Sequence, residues 1–169
     1  MELIKSIEVT LEKGYKISTL ILLYSGLDIV ASLNTAIGKD VQKKDFIEWV
    51  NKYVIPHMDV KVTGEDLYAA RCAVVHTLAS ESSMSRQGKA TQVFYTWGDN
   101  KPEQLQEIIK QNGMNHVTVK IENLIMSFRQ GVIDFIGDIP NDPKLIYTVL
   151  QRSEYMLGYN SIPFLDEAE

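Results

Sequence analysis

One cysteine, Cys72, in 169 residues leaves this chain no internal disulfide and no cysteine-rich zinc motif. Histidine is nearly as scarce. The three residues His57, His76 and His116 show no His-x3-His spacing and no Cys/His cluster, so no metal site is expected. The sequence also lacks a P-loop, a Gly-x-Gly-x-x-Gly turn and a nucleophile elbow, which removes the common nucleotide-binding and hydrolase signatures. Positive charge is in deficit. With 17 Lys and Arg against 22 Asp and Glu, the net charge is −5, so no global field draws the protein to nucleic acid. Any RNA contact has to be local, or made by a composite surface of two copies.

Long hydrophobic runs are missing too. Ile17 to Leu27 is free of charge, but Asp28, Asn34 and Lys39 interrupt it at about half the length that spans a bilayer. Glu2 and the absence of an apolar stretch behind it do not read as a secretion signal. The single cysteine fits a reducing compartment. The expectation is a cytoplasmic protein with no membrane partner.

What is present is an ordinary globular composition, 45% apolar and 23% charged, in a chain long enough to bury one core. Residues 1–160 read as a single domain and 161–169 as an acidic tail. Leu3, Ile4, Ile7 and Leu11 mark an amphipathic helix over 2–13, ended by Gly14. From Lys16 to Asn34 a second helix is apolar nearly all round, which predicts a central position in a bundle. It carries Asp28 in its middle, with Tyr24 one turn earlier. A third helix spans 41–54 and stops at Pro56.

Thr63 is an N-cap candidate for a fourth helix, with Asp66 completing an approximate capping box. The polar segment Ser80–Lys89 reads as a loop. Val93–Trp97 and the alternation Val117, Val119, Ile121 read as two strands, with a helix over Pro102–Gln111 between them. Such a unit, over 92–121, is a small strand–helix–strand insertion. Two further amphipathic helices follow, over 122–136 and from Pro143 to Gly158. The fold class is mainly α: an up-and-down helical bundle with a small two-stranded β element.

The stretch Glu65–Ser80 carries the unusual chemistry. It is among the least polar helical runs, yet Arg71 and His76 sit inside it. A buried unpaired cation costs several kcal/mol, so Arg71 requires a carboxylate or an anionic ligand. It falls within the stripe of Leu67, Val74 and Leu78, pointing toward other helices, and Asp28 is the evident counter-ion. His76 is the side chain suited to proton transfer near neutral pH. Five residues apart, the two project about 140° from each other. They either flank one cleft or converge from two copies. The alternative is structural: an Arg71–Asp28 pin between helices, with His76 bonded to a carbonyl. Ser82 and Arg86, with Ser80 and Ser83, are phosphate-binding candidates beyond His76, and Glu81 is a candidate to orient it. Tyr95 and Trp97 are candidates for base stacking or for core.

The mid-helix acid in Leu22-Leu23-Tyr24-Ser25-Gly26-Leu27-Asp28, followed by Arg-x4-His from Arg71 to His76, resembles the HEPN superfamily. The resemblance covers roughly residues 16–79; the 92–121 unit lies outside the family's core, and Cys72 stands where active members commonly carry a polar residue. It implies an all-α, often dimeric protein that acts as a metal-independent endoribonuclease in toxin–antitoxin or phage-defence systems. Arg71 and His76 would be the catalytic pair, with Asp28, Tyr24 and Glu81 in support, and no cofactor. His76 would move the proton of a ribose 2′-hydroxyl attacking the adjacent phosphate, and Arg71 would stabilise the charge developing there. The implied partners are a second copy, RNA or a nucleotide, and an antitoxin-like protein. The other reading is a non-catalytic HEPN-like module that binds a nucleotide or a protein partner.

Overall fold

The computed structural model describes residues 2–36, 38–79, 81–111, 116–154 and 156. The described residues form eight α-helices and one two-stranded parallel sheet. Helix α1 (Glu2–Glu12) turns into α2 (Lys16–Leu33) at Gly14, whose φ of +81° suits glycine. Helix α3 (Lys43–Tyr53) runs into a 3₁₀ turn, Ile55–His57, where Pro56 ends it. Helix α4 (Gly64–Thr77) opens on the expected capping box: the Thr63 hydroxyl accepts from the Asp66 N–H, and the Asp66 carboxylate accepts from the Thr63 N–H.

The segment after α4 is not a plain loop. It contains a one-turn helix, α5 (Ser83–Arg86), because the Ser82 and Ser85 side chains cap it reciprocally. Strand β1 (Gln92–Thr96), helix α6 (Pro102–Lys110) and strand β2 (His116–Lys120) make the crossover unit. The strands are parallel, with Gln92 opposite His116 and Thr96 opposite Lys120. Ile121 does not extend β2. The ladder ends at the Thr96–Lys120 pair, and the chain enters α7 (Ile121–Asp138) with Ile121 fully buried. Helix α8 (Pro143–Glu154) closes the described fold, and the expected end at Gly158 and the tail 161–169 lie outside the described residues. Arg152 of α8 donates to the carbonyls of Thr35, Ala36 and Lys39, so the cation satisfies acceptors just beyond the C-terminal end of α2.

The core lies between α2, α3, α4 and α7. Trp49 and Tyr53 of α3 meet Phe135 of α7 edge-on, at centroid distances of 5.9 and 5.3 Å, the geometry that aromatic quadrupoles favour. Two glycines allow the close approach. A Cβ on Gly131 of α7 would stand 2.6 Å from the Tyr53 carbonyl oxygen, and one on Gly26 of α2 would stand 3.1 Å from the Phe128 ring. The exposed edge of β2 is covered by a side chain. The Gln106 amide of α6 donates to the His116 carbonyl at 3.2 Å and accepts the Thr118 N–H at 2.9 Å, taking the place of a third strand.

Helix α2 differs from its expected all-round burial. Leu20, Leu23, Tyr24, Leu27 and Ala31 are buried, but Ile17 is 60% and Ile29 44% exposed. Its span through Asp28 is as expected, and at 18 residues with mean hydropathy 1.5 it is, among the described residues, the one helix long and apolar enough to cross a bilayer. Its buried stripe nonetheless packs against α1, α3, α4, α7 and α8, the arrangement of a core helix.

Gly131 and Gly137 make a paired test. Gly131→Ala forces a methyl group onto the Tyr53 backbone and is expected to lower stability by about 1–3 kcal/mol. Gly137→Ala meets no atom within 4 Å and should raise stability by about 0.5–1 kcal/mol through helix propensity. Urea unfolding of both variants checks the contrast.

Candidate functional site

Arg71 reaches from α4 toward α2, with Tyr68 one turn earlier and Cys72 beside it. Its Nε donates to Asp28 Oδ2 of α2 at 2.7 Å. Its Nη1 lies 2.7 Å from Nε2 of His76. A guanidinium has only donors, so His76 Nε2 accepts, and the ring hydrogen in this arrangement is on Nδ1. One arginine therefore links a carboxylate on α2 to an imidazole in the last turn of its own helix. The 140° separation on the helix is bridged by the length of the arginine side chain.

Burial grades across this chain of three groups. Arg71 and Asp28 are half-buried, their side chains 20% and 29% exposed, while His76 is exposed to solvent. Burial raises the Asp28 pKa above its ordinary value, only partly opposed by the Arg71 hydrogen bond and charge. Burial also works against the Arg71 charge, but the Asp28 hydrogen bond and charge outweigh it and hold the guanidinium pKa up. Burial, and then the neighbouring Cys72 thiol, raise the Tyr68 hydroxyl.

Beside the pair lies an open groove of about 320 Å³ lined by Asp28, Ser32, Lys43, Tyr68 and Arg71 among others. Lys43 sits 5.5 Å from the Tyr68 ring centroid and donates to the Met84 sulfur at 3.2 Å. Sequence reasoning passed over Lys43 and Tyr68. Tyr68 was findable as the residue one turn before Arg71; Lys43 had no local signal, because α3 brings it in from a different part of the chain.

The remaining candidates are elsewhere. Tyr24 turns inward, fully buried, and its hydroxyl meets that of Tyr95 at 2.5 Å; burial raises its pKa well above the ordinary range. Glu81 faces Arg86 at 3.9 Å. Ser82 is committed to the α5 cap, and none of Glu81, Ser82 and Arg86 hydrogen-bonds or ion-pairs with Arg71 or His76. Ser80 lies outside the described residues. Trp97 projects beyond β1, 40% exposed, with the Lys16 ammonium 5.5 Å from its ring. His57 pairs with Asp134 at 2.6 Å, and His116 is buried edge-on to Phe94. Among the described residues no group of three His, Cys, Asp or Glu side chains could hold a metal ion.

Comparison with protein-family profiles, with characterised proteins and with solved structures finds no match for this chain.

The two partners of the ion pair are unequal. Arg71→Ala strands a half-buried carboxylate and is expected to cost about 1–3 kcal/mol at pH 7. Asp28→Asn keeps an acceptor for Nε and should cost less than about 1 kcal/mol. The sign of the pH dependence follows from the raised Asp28 pKa. A carboxyl that binds its proton more tightly folded than unfolded adds stability at low pH and loses it as pH rises through the folded value. Without Arg71 that folded value is higher still, so the deficit of Arg71→Ala should shrink as pH is lowered from 7 toward 5. Melting temperatures of wild type and both variants across that interval measure it; a deficit independent of pH refutes the account.

Proposed function

We propose that this chain is a HEPN-like, metal-independent endoribonuclease of the toxin or phage-defence type, working in the cytoplasm through Arg71 and His76. The observation that carries the reading is the exposed His76 imidazole held at 2.7 Å by a guanidinium that Asp28 anchors from behind. A structural pin needs only Arg71 and Asp28; it has no use for an exposed histidine on the same guanidinium.

The arrangement supports a simple sequence of events. A phosphate oxygen is a stronger acceptor than an imidazole nitrogen, so an RNA phosphate reaching Arg71 takes over Nη1 and releases His76 Nε2. The freed nitrogen then accepts the proton of the adjacent 2′-hydroxyl. The 2′-oxygen bonds to phosphorus, Arg71 stabilises the charge on the equatorial oxygens, and the 5′-oxygen leaves. A protonated imidazole, from the same or a second copy, returns a proton to it, and a 2′,3′-cyclic phosphate remains.

A second copy is part of the proposal. The outward side of α2 presents Ile29 to solvent, 44% exposed, in the groove that Asp28 and Arg71 also line. Pairing two such faces covers this apolar surface and brings two sites together. The second reading, a non-catalytic HEPN-like module for a nucleotide or an antitoxin-like protein, draws on one observation: the net charge of −5 gives RNA no long-range attraction.

His76→Ala should abolish EDTA-resistant cleavage of RNA with little change in melting temperature, since an exposed side chain contributes within about 0.5 kcal/mol. RNA that survives wild type and variant equally well rules the enzyme out. Sedimentation equilibrium should give a dimer that Ile29→Glu dissociates. A monomeric wild type removes the composite site.

A further inference from the structure

The opposite flank of α4 borders a second feature, which does not depend on the reading above. A cavity of about 320 Å³ lies between the first turn of α2, the C-terminal half of α4 and β1, within the size range of small-molecule sites. Its buried wall is Leu20, Ala70, Ala73, Val74, Val93 and Ile121. Two of the α4 residues that face this space, Ala70 and Ala73, are small. The rim is apolar and, among the described residues, uncovered: Ile17, Leu78 and Trp97 are 60%, 62% and 40% exposed.

Leu78 is unusual in a further way. It closes α4 in the left-handed conformation, φ +49°, where its N–H reaches the Ala73 and Val74 carbonyls. It is the one non-glycine residue with positive φ among the described residues. Glycine or asparagine is the ordinary choice there, and a leucine costs about 1–2 kcal/mol. The result is a large apolar side chain at the rim of the cavity.

Among the described residues, Lys16 is the only charged one lining this space. Its ammonium stands over the Trp97 ring and makes no ion pair among the described residues. Glu8, Glu12 and Glu122 border the neighbouring groove on the other side of Lys16, none within ion-pair distance of it. The cavity thus combines an apolar interior, an apolar uncovered rim and one cation at its edge. An apolar ligand tail displaces little ordered water from such a wall, and a carboxylate at its head meets the ammonium.

We propose that this cavity binds a medium-chain fatty acid, its alkyl chain between α4 and β1 and its carboxylate on Lys16. The test compares decanoate with decanol by isothermal titration calorimetry on the full chain. Decanoate should bind saturably at one per chain. Lys16→Gln should weaken decanoate by about tenfold, the loss of one charge-assisted contact, and leave decanol unchanged. Leu78→Glu, an exposed change, should weaken decanoate more than decanol by placing a carboxylate at the rim. Ala73→Leu, which fills the interior, should abolish binding of both in a chain whose circular dichroism stays native. Absence of saturable decanoate binding by wild type overturns the proposal. So does decanoate binding that Lys16→Gln and Leu78→Glu leave untouched, or a folded Ala73→Leu that binds as wild type does.

Discussion

A guanidinium half-buried between two helices has to end on a carboxylate, and that requirement ties α4 to α2. The Arg71–Asp28 contact at 2.7 Å is the side-chain ion pair between α2 and α4 among the described residues. It constrains the rotation of both helices: Asp28 sits at the edge of the buried stripe of α2, so α2 must face its serines and isoleucines outward. The net worth of such a pair is modest, because desolvation of both charges offsets much of their attraction. Its value is directional. The contact needs the Asp28 side of α2 and the Arg71 side of α4 to face each other.

The same guanidinium presents its Nη1 to His76 at the surface. Burial falls from the ion pair to the imidazole, so the charge is fixed by the protein on one side and offered to solvent on the other. Such a graded arrangement suits an anion-binding site, since the cation is positioned before any ligand arrives. The neighbouring groove adds Lys43 and the Tyr68 ring, a second cation and an aromatic surface within reach of the same arginine.

The strand–helix–strand unit completes the molecule on the other flank of α4. A two-stranded parallel sheet leaves two unpaired edges. Gln106 satisfies one of them, and on the other side Asp66, a buried residue of the α4 cap, accepts the Thr91 N–H leading into β1. The capping box of α4 thus also anchors the sheet. Two of the α4 residues that face the cavity beside Lys16, Ala70 and Ala73, are small.

Much of this was legible from local pattern. The periodicity of Ile7, Leu23, Leu27, Trp49 and Phe128, the Thr63–Asp66 box and the break at Pro56 depend on neighbours within one or two turns, which sequence displays directly. The need of Arg71 for an acid, and the candidacy of Asp28, followed from the cost of an unpaired charge. Other features needed the folded chain. The contact between Arg71 and His76 depends on side-chain reach, which helical angles understate. Tyr24 shares a helix with Asp28 but turns to Tyr95, a residue 71 positions away. Ile121 alternates like a strand residue yet starts a helix, buried in the core just past the last ladder pair. The exposed side of α2 was invisible in its composition: hydrophobicity says that a helix can be buried, and only the positions of the other helices decide which of its faces is.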